Sequence, residues 1–168
     1  MNLFEKHHSL LNKAIEALHI RTFYAAFPEH PAPAIYGETA DADGQAAFKN
    51  SLGKNFMELK QTGELNWGGQ EESPYLQQPL KISYPLFDTL ELVSKSKQAF
   101  NVWRKVSKED RAGILLESLE RVKKRFFEIA YATMHTTGQG FMMAFQASGP
   151  HAADRALEAI AAGYEELN

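Results

Sequence analysis

Histidines are the residues of this chain best suited to proton transfer or metal binding, and two of the six stand together near its start. His7 and His8 lie close to Glu5, and imidazoles beside a carboxylate are common ligands of transition metals. Adjacent residues diverge by about 100 degrees around a helix, and no third ligand follows at a suitable spacing. We therefore expect a solvated helix face here and no metal site. Three further histidines carry no local pattern: His19, His30 and His151.

His135 stands beside Thr136 and Thr137 at a predicted helix break, where an imidazole could serve as a general base. Histidines at helix ends more often satisfy the free carbonyl groups of the last turn. No paired acid or nucleophile is visible nearby in the sequence. The capping role is therefore expected, and a small helical enzyme using His135 and a carboxylate is a weaker alternative.

The motifs of nucleotide binding and of serine catalysis are incomplete. Gly138-Gln139-Gly140 resembles the start of a dinucleotide fingerprint, but Met143 stands where the third glycine is needed, and the preceding residues predict a helix. No serine, Ser148 included, lies in a Gly-x-Ser-x-Gly elbow. The 168 residues include no cysteine, which excludes disulfides, thiolate metal sites and a cysteine nucleophile within them. These observations assign no catalytic, cofactor-binding or metal-binding residue to this chain.

Charged and aromatic side chains offer further candidates that have simpler interpretations. Paired carboxylates could share a proton or bind a cation but are expected to be solvated surface: Asp41 with Asp43, Glu71 with Glu72, and Glu165 with Glu166. Aromatic residues could line a ligand slot but are more often core: Trp67, Trp103 and residues 141–145. The basic run 121–125 is balanced by neighbouring acids, and 18 basic against 21 acidic residues give a net charge of −3. Nucleic acid and anionic membranes are therefore not expected partners.

Composition and hydrophobic spacing predict one compact soluble domain that is mainly α-helical, with a minor strand-and-loop insert. Of the 168 residues, 44% are hydrophobic and 23% charged, which allows a sizeable core. We divide the domain, residues 1–168, into a first helix over 1–27, a segment 28–85 with a linker, a short helix and a loop or strand insert, and a helical half over 86–168. No stretch is apolar for the roughly 20 residues of a membrane-spanning helix, and the start lacks the apolar run of a signal peptide. A cytoplasmic location is expected.

Capping residues and glycines predict where the helices begin and end. The predicted N-caps are Thr39, Asp88 and Ser107, and the predicted breaks are Gly138 and Gly149-Pro150. Gly44 weakens the helix predicted over 40–52 by about 1 kcal/mol relative to Ala. Alternation over 56–60, followed by glycines and prolines, indicates a loop with one or two short strands between 53 and 85.

Apolar residues at steps of three and four predict the buried face of each helix. In the first helix these residues are Leu3, Leu10, Leu11, Ala14, Ile15, Leu18 and Thr22. In the helix after Asp88 they are Leu90, Val93, Phe100 and Trp103. One continuous helix after Ser107 is predicted to bury Leu115, Leu119, Val122, Phe126 and Ile129. In the last segment, after the break at Gly149-Pro150, Ala156, Ile160, Gly163 and Leu167 continue the helix.

Several strings of the sequence resemble a known family. AFNVW at 99–103, SKEDR at 107–111 and the leucine-striped helix that follows resemble the amino-terminal helices of the aldehyde dehydrogenase superfamily. Three longer strings resemble more specifically the aldehyde dehydrogenase-type proteins of bacterial phenylacetic acid degradation, the PaaN type. They are MNLFEKHHSLLNKAIEALHIRTFYAAFPEHP, IYGETADADGQAAF and MHTTGQGFMMAFQASGPHAADRALEA. The resemblance is nearly full-length for this chain but matches only the beginning of the longer family sequence.

This resemblance implies NAD(P)-dependent oxidation of an aldehyde by the full-length protein, through a cysteine thiolate, a glutamate-activated water and an oxyanion hole. In the family those residues and the nucleotide-binding core lie beyond the point where this sequence ends, so no position here inherits a catalytic or cofactor role. The roles that transfer are structural: Trp103 as a helix-packing anchor, Ser107 as a cap, Arg111 as a first-turn partner and Gly138 as a break.

Two hypotheses follow for the function of the chain. The first is an amino-terminal helical fragment of an aldehyde dehydrogenase-like protein, inactive alone, whose partners are the remainder of the dehydrogenase and further copies of itself. A homo-oligomer, most simply a twofold dimer, is expected because burying exposed apolar stripes against a second copy is favourable. The alternative is a stand-alone helical interaction or oligomerisation module that binds a protein through residues 141–145.

Overall fold

A computed structural model describes residues 2–166 of the chain. Within this range the chain forms eight helices and four short strands. The helices are α1 Leu3–Ile20, α2 Pro33–Tyr36, α3 Ala40–Ser51, α4 Thr89–Trp103, α5 Lys108–Lys123, α6 Phe126–Thr137, α7 Phe141–Ser148 and α8 Pro150–Glu166. The strands are β1 Asn66–Gly68, β2 Glu72–Ser73, β3 Gln78–Pro79 and β4 Tyr84–Leu86. The expectation of a mainly helical fold with a minor strand-and-loop insert is confirmed.

The helix starts follow the local capping chemistry predicted from the sequence. The carboxylate of Asp88 accepts a hydrogen bond from the Glu91 amide at 2.8 Å. The Ser107 hydroxyl accepts from the Asp110 amide at 3.0 Å and donates to the Asp110 carboxylate at 2.8 Å. Thr39 precedes α3, as predicted, but its side chain makes no capping bond.

The first helix is shorter than the sequence predicts, because it ends at Ile20 and not at Phe27. Arg21 adopts a left-handed conformation with φ 52°, and its amide bonds back to the carbonyls of Ala17 and Leu18. The Thr22 amide also turns back to Ala17, at 3.0 Å. These bonds satisfy the last carbonyls and direct the following loop across the protein.

The long helix predicted after Ser107 is divided into α5 and α6 by a turn at Lys124 and Arg125. Arg125 lies at φ −116° and ψ 10°, outside the helical region, and the next helix begins at Phe126. The apolar stripe predicted along this helix is buried only in part. Leu119 and Phe126 are buried as predicted, whereas Leu115 and Val122 are about 40% exposed, at 42% and 39%. The face of α5 that is buried contains Ala112, Gly113, Leu116 and Leu119.

The main core lies between α1, α5, α6, α7 and α8. Its fully buried members are Leu11, Phe27, Leu116, Phe126, Phe145 and Leu157, with small residues between them. In α8 the buried residues are Pro150, Ala153, Asp154, Leu157 and Ala161. Of the apolar residues predicted to continue this helix, Ala156 and Ile160 are partly buried against the core. The fourth predicted member, Leu167, lies outside the described residues.

A second, smaller cluster joins the insert to α3 and α6. Phe48, Leu80, Ile82 and Tyr131 form its buried part. The insert contains two antiparallel pairs, β1 with β4 and β2 with β3. No strand forms over 56–60, because an isolated bridge between Asn55 and Ser83 is followed by a turn. In the described range, 2–166, no helix has both the length and the apolar character needed to cross a membrane.

Candidate functional site

The histidine pair near the start of the chain does not form the solvated face that was predicted. His7 is buried, and its Nε2 lies 2.8 Å from the Glu117 carboxylate on α5. Lys6 donates to the same carboxylate at 2.6 Å, and the Nε of Arg121 donates to its other oxygen at 3.1 Å. His8 is exposed, so the two histidines point in different directions. The cluster joins α1 to α5 and has no metal-binding geometry among its described residues.

Glu117 is a titratable contact between these two helices. Its hydrogen bonds, first from Lys6 and then from His7 and Arg121, lower the pKa of Glu117 to about 2 from 4.5. A carboxylate whose pKa is lowered by folding stabilises the fold above the pKa of the unfolded chain and loses that contribution as the pH falls.

We therefore expect the free energy of unfolding to depend more weakly on pH in Glu117→Gln than in the wild type, between pH 4.5 and about 2. Urea unfolding across this range would measure the difference. Glu16→Gln is the matched control, because Glu16 is exposed on α1 and should leave the wild-type slope unchanged. Equal slopes in the wild type and Glu117→Gln would contradict the assignment.

His135 does not cap the end of α6, which corrects the prediction. Its Nδ1 lies 2.7 Å from the hydroxyl of Ser73 in β2, and its ring stacks on Phe48 with centroids 4.7 Å apart. Burial, with a smaller effect of Lys49, lowers the pKa of His135. The Leu76 amide donates to the same hydroxyl at 3.1 Å. Through these contacts the imidazole connects the β2–β3 hairpin with α3 and α6.

The contact between Ser73 and His135 does not support the weaker alternative of a small helical enzyme. Ser73 has an exposed fraction of 0%, so its hydroxyl cannot meet a substrate in this conformation. Within the described residues, no carboxylate bonds to the imidazole. A general-base role needs a reactive proton within reach and an orienting partner. The hydroxyl within reach of His135 is that of the buried Ser73, and no orienting partner bonds to the imidazole among the described residues.

A buried carboxylate, Asp154, was missed from the sequence. It accepts hydrogen bonds from the amides of Ala26 at 2.8 Å and Phe27 at 3.3 Å. Burial raises the pKa of Asp154, while the two backbone hydrogen bonds oppose that shift. The carboxylate holds the loop after α1 against α8. Its position next to Ala153, on the apolar side of the helix, was the only sequence signal for this role.

Some of the paired carboxylates and Arg125 of the basic run make contacts within the fold. Asp41 accepts from the Tyr131 hydroxyl at 2.8 Å, and Glu165 lies 2.9 Å from His19. Glu71 differs from the prediction, because its Oε2 is buried with no hydrogen-bond partner in the described range. Arg125 bonds both Glu58 and Glu128. Across residues 2–166, no group of three or more histidine, cysteine or acidic side chains could hold a metal ion.

The residues with roles implied by the resemblance have different outcomes. Ser107 is a helix cap, and Gly138 ends α6 in the left-handed conformation at φ 78°, as expected. Trp103 is 38% exposed and is thus only partly packed. Arg111 is not a first-turn partner through its side chain: its Nε is buried without a hydrogen-bond partner in the described range.

The α4 face is an apolar surface that the internal packing leaves open, and we define it by Leu90, Val93 and Phe100. No residue of α4 is buried. Leu90 is 79% exposed and Phe100 is 58% exposed. The predicted stripe is present in the sequence, but nothing among residues 2–166 buries it. Such a face, alternating with polar residues on one helix, is typical of an interaction surface.

Most of residues 141–145, the partner-binding surface in the alternative hypothesis, are packed in the core of this chain. Phe145 and Ala144 have exposed fractions of 0%, and Phe141 packs against the core cluster. Met142 and Met143 are the exposed members of residues 141–145. This segment therefore stabilises the fold.

Comparisons with known proteins identify one informative relative. No protein-family model matches the chain, and no curated protein matches it significantly. The crystal structure of an NAD-dependent aldehyde dehydrogenase from Burkholderia multivorans matches with a TM-score of 0.92 and 46% sequence identity. The match covers 99% of this chain and 30% of that enzyme's chain. The chain therefore spans less than a third of the length of this relative.

The similarity extends beyond the fold to the sequence, since almost half of the aligned residues are identical over nearly the whole chain. They support the aldehyde dehydrogenase superfamily that the sequence resembles. By sequence and fold together, the chain is similar to part of an NAD-dependent aldehyde dehydrogenase, and its architecture is that of a helical segment of the aldehyde dehydrogenase fold.

Proposed function

We propose that this chain is the amino-terminal, non-catalytic segment of an NAD(P)-dependent aldehyde dehydrogenase-like protein of phenylacetic acid degradation, the PaaN type. The observation that carries the proposal is the 46% identity over 99% of the chain to an NAD-dependent aldehyde dehydrogenase. The finer assignment to phenylacetic acid degradation, the amino-terminal position and a cytoplasmic location rest on the sequence resemblance. The absence of cysteine from the 168 residues agrees with a structural role, because thiolate catalysis of aldehyde oxidation needs that side chain.

The residues of this chain do not fit a nicotinamide cofactor. A dinucleotide site needs a strand, a glycine-rich turn and a helix in succession. Gly138-Gln139-Gly140 instead connects helix α6 to helix α7, and Gly138 ends the first of them. Within residues 2–166 the strands form two antiparallel pairs of two or three residues. The cofactor, NAD or NADP, is therefore proposed to be bound by the remainder of the dehydrogenase.

The segment has a structural function in this proposal, and the α4 face is its contact with the remainder of the dehydrogenase. Phe100 and Leu90 are more than half exposed, and burying such side chains stabilises by about 1.5–3 kcal/mol each. In the isolated chain a second copy would cover the same face, so a homo-oligomer, most simply a twofold dimer, is expected. Sedimentation velocity that finds only monomer at high concentration would contradict this self-association.

A chimeric enzyme tests the proposed function. Replacing the matching segment of the Burkholderia multivorans enzyme by this chain should give a soluble hybrid that retains aldehyde-dependent reduction of NAD. The isolated chain, assayed under the same conditions, should show no such activity above the blank. Activity of the isolated chain, free of contaminating enzyme, or a hybrid that folds without activity, would overturn the proposal.

Two substitutions on α4 distinguish loss of the proposed contact with the remainder of the dehydrogenase from a general effect of introducing a charge on this helix. Phe100→Asp places a charge in the proposed contact and should abolish assembly of the active hybrid, because an unpaired buried charge is strongly destabilising. Gln98→Asp is the matched control, since Gln98 is exposed on the same helix and lies two residues, about 200 degrees of helix rotation, before Phe100. Hybrids with equal activity for both substitutions would show that the α4 face does not contact the remainder.

A further inference from the structure

A cavity of about 340 Å³ lies between the end of α4, the start of α5 and the end of α8. Its walls include Trp103, Leu115, Ile160 and the ring of Tyr164. The volume is at the lower end of the ~300–1,000 Å³ typical of small-molecule sites. It is separate from the α4 face, which the proposed function assigns to the remainder of the dehydrogenase.

Arg111 gives this apolar cavity a specific polar group. It lines the cavity, and its Nε is buried with no hydrogen-bond partner among residues 2–166. A buried donor without an acceptor is unusual in folded proteins, because most such groups are paired. The Nε–H of Arg111 therefore lacks an acceptor that a ligand could supply.

The charged side chains that line the cavity are cationic, whereas Glu109 lies outside the wall, against Tyr164. Lys108 is the second cation in its wall, and its Nζ lies 4.8 Å from the centroid of the Tyr164 ring. No acidic side chain is present among the described residues that line the cavity. Arginine binds carboxylates through parallel hydrogen bonds from its planar fork. The apolar walls suit an aliphatic or aromatic body attached to that carboxylate, whereas a small inorganic anion would leave them in water.

We propose that this cavity binds a monocarboxylate with an apolar tail, with the carboxylate on Arg111 and the tail against Trp103, Leu115 and Ile160. This site is independent of the proposed function, because it uses no residue of the α4 face and requires no cofactor. Binding would give the Arg111 Nε–H an acceptor and would at the same time exclude water from the apolar walls.

Fluorescence of Trp103 tests the proposal with hexanoate as the probe. The chain contains two tryptophans, so Trp67→Phe leaves Trp103 as the sole indole. In that background, hexanoate should produce a saturable change in emission, and hexanol, which has the same tail without the charge, should bind at least about tenfold more weakly. Equal binding of hexanol, or no saturable change with hexanoate, would overturn the proposal.

Variants of the cavity wall provide the controls. Arg111→Gln should weaken hexanoate binding at least about tenfold, and Arg111→Lys, which keeps the charge without the fork, should weaken it less. Gly163 also lines the cavity, and a Cβ atom there meets no other atom within 4 Å. Gly163→Leu should therefore fill the space and abolish binding, whereas Gly163→Ala should keep it. Circular dichroism would verify folding, and undiminished binding in a folded Gly163→Leu variant would contradict the site.

Discussion

Phe145→Ala is expected to lower the free energy of unfolding by about 3–5 kcal/mol, the usual cost of truncating a fully buried aromatic ring. Phe145 has an exposed fraction of 0%. Four rings surround it, with centroids 5.5 Å away for Tyr36, 6.2 Å for Phe126, 4.8 Å for Phe127 and 6.1 Å for Phe141. The remaining cavity would lie between α2, α6 and α7, and rigid helices cannot collapse to fill it.

Urea unfolding of the wild type and Phe145→Ala would measure this loss. Met142→Ala is the control, because Met142 is on the same helix but 44% exposed, and should cost less than about 1 kcal/mol. The comparison also separates the two hypotheses for residues 141–145. A partner-binding phenylalanine would leave the stability of the isolated chain nearly unchanged on truncation, and that result would restore the interaction module as a hypothesis.

Gly44→Ala is expected to destabilise the chain by about 2–3 kcal/mol, although alanine is the better helix former. A Cβ atom at position 44 would lie 2.3 Å from the Cβ of Phe127 and 2.8 Å from the backbone nitrogen of Glu128. These neighbours belong to the start of α6 and cannot rotate away, so α3 and α6 must separate. The stacking of Phe48 on His135 between the same two helices would be weakened as a consequence.

Gly163→Ala provides a matched glycine control for this prediction. The added methyl group enters open space on α8, so the substitution should stabilise the chain by about 0.5–1 kcal/mol through helix propensity. Opposite signs for the two variants, measured by urea unfolding, are the expected result. A stabilised Gly44→Ala would mean that α3 and α6 do not approach as closely as the structure shows.

Local sequence signals predicted the helix ends that depend on a few neighbouring residues. Asp88, Ser107 and Gly138 act within four residues of their own positions, and their capping geometries are found as expected. The turn at Arg125 was not predicted, because the apolar spacing continues across it without interruption. At this position the backbone of Arg125 leaves the helical region and its side chain bonds to Glu58 and Glu128, which are contacts of the folded chain.

The buried faces were predicted less well than the helices themselves. In α5 and α8 the apolar residues cover more than one face, and the residues singled out by their spacing coincide only in part with the buried ones. Leu116 and Leu157 are buried, whereas Leu115 is 42% exposed. The spacing does not choose between such faces, because the choice depends on the partner helix and the angle at which it crosses.

The amino-acid sequence by itself determined the helical class, the capped helix starts and the absence of a thiolate nucleophile, because each depends on composition or on residues within one turn of helix. Tertiary structure decided the pairing of His7 with Glu117, the burial of Asp154 and the need for glycine at position 44. Each of these joins residues that are far apart in the chain, 110 positions in the first case, and whose contact exists only after the helices have packed. The tertiary structure also decided that the α4 face, which is apolar like the buried faces of the other helices, lies open within the described residues and is available to a partner.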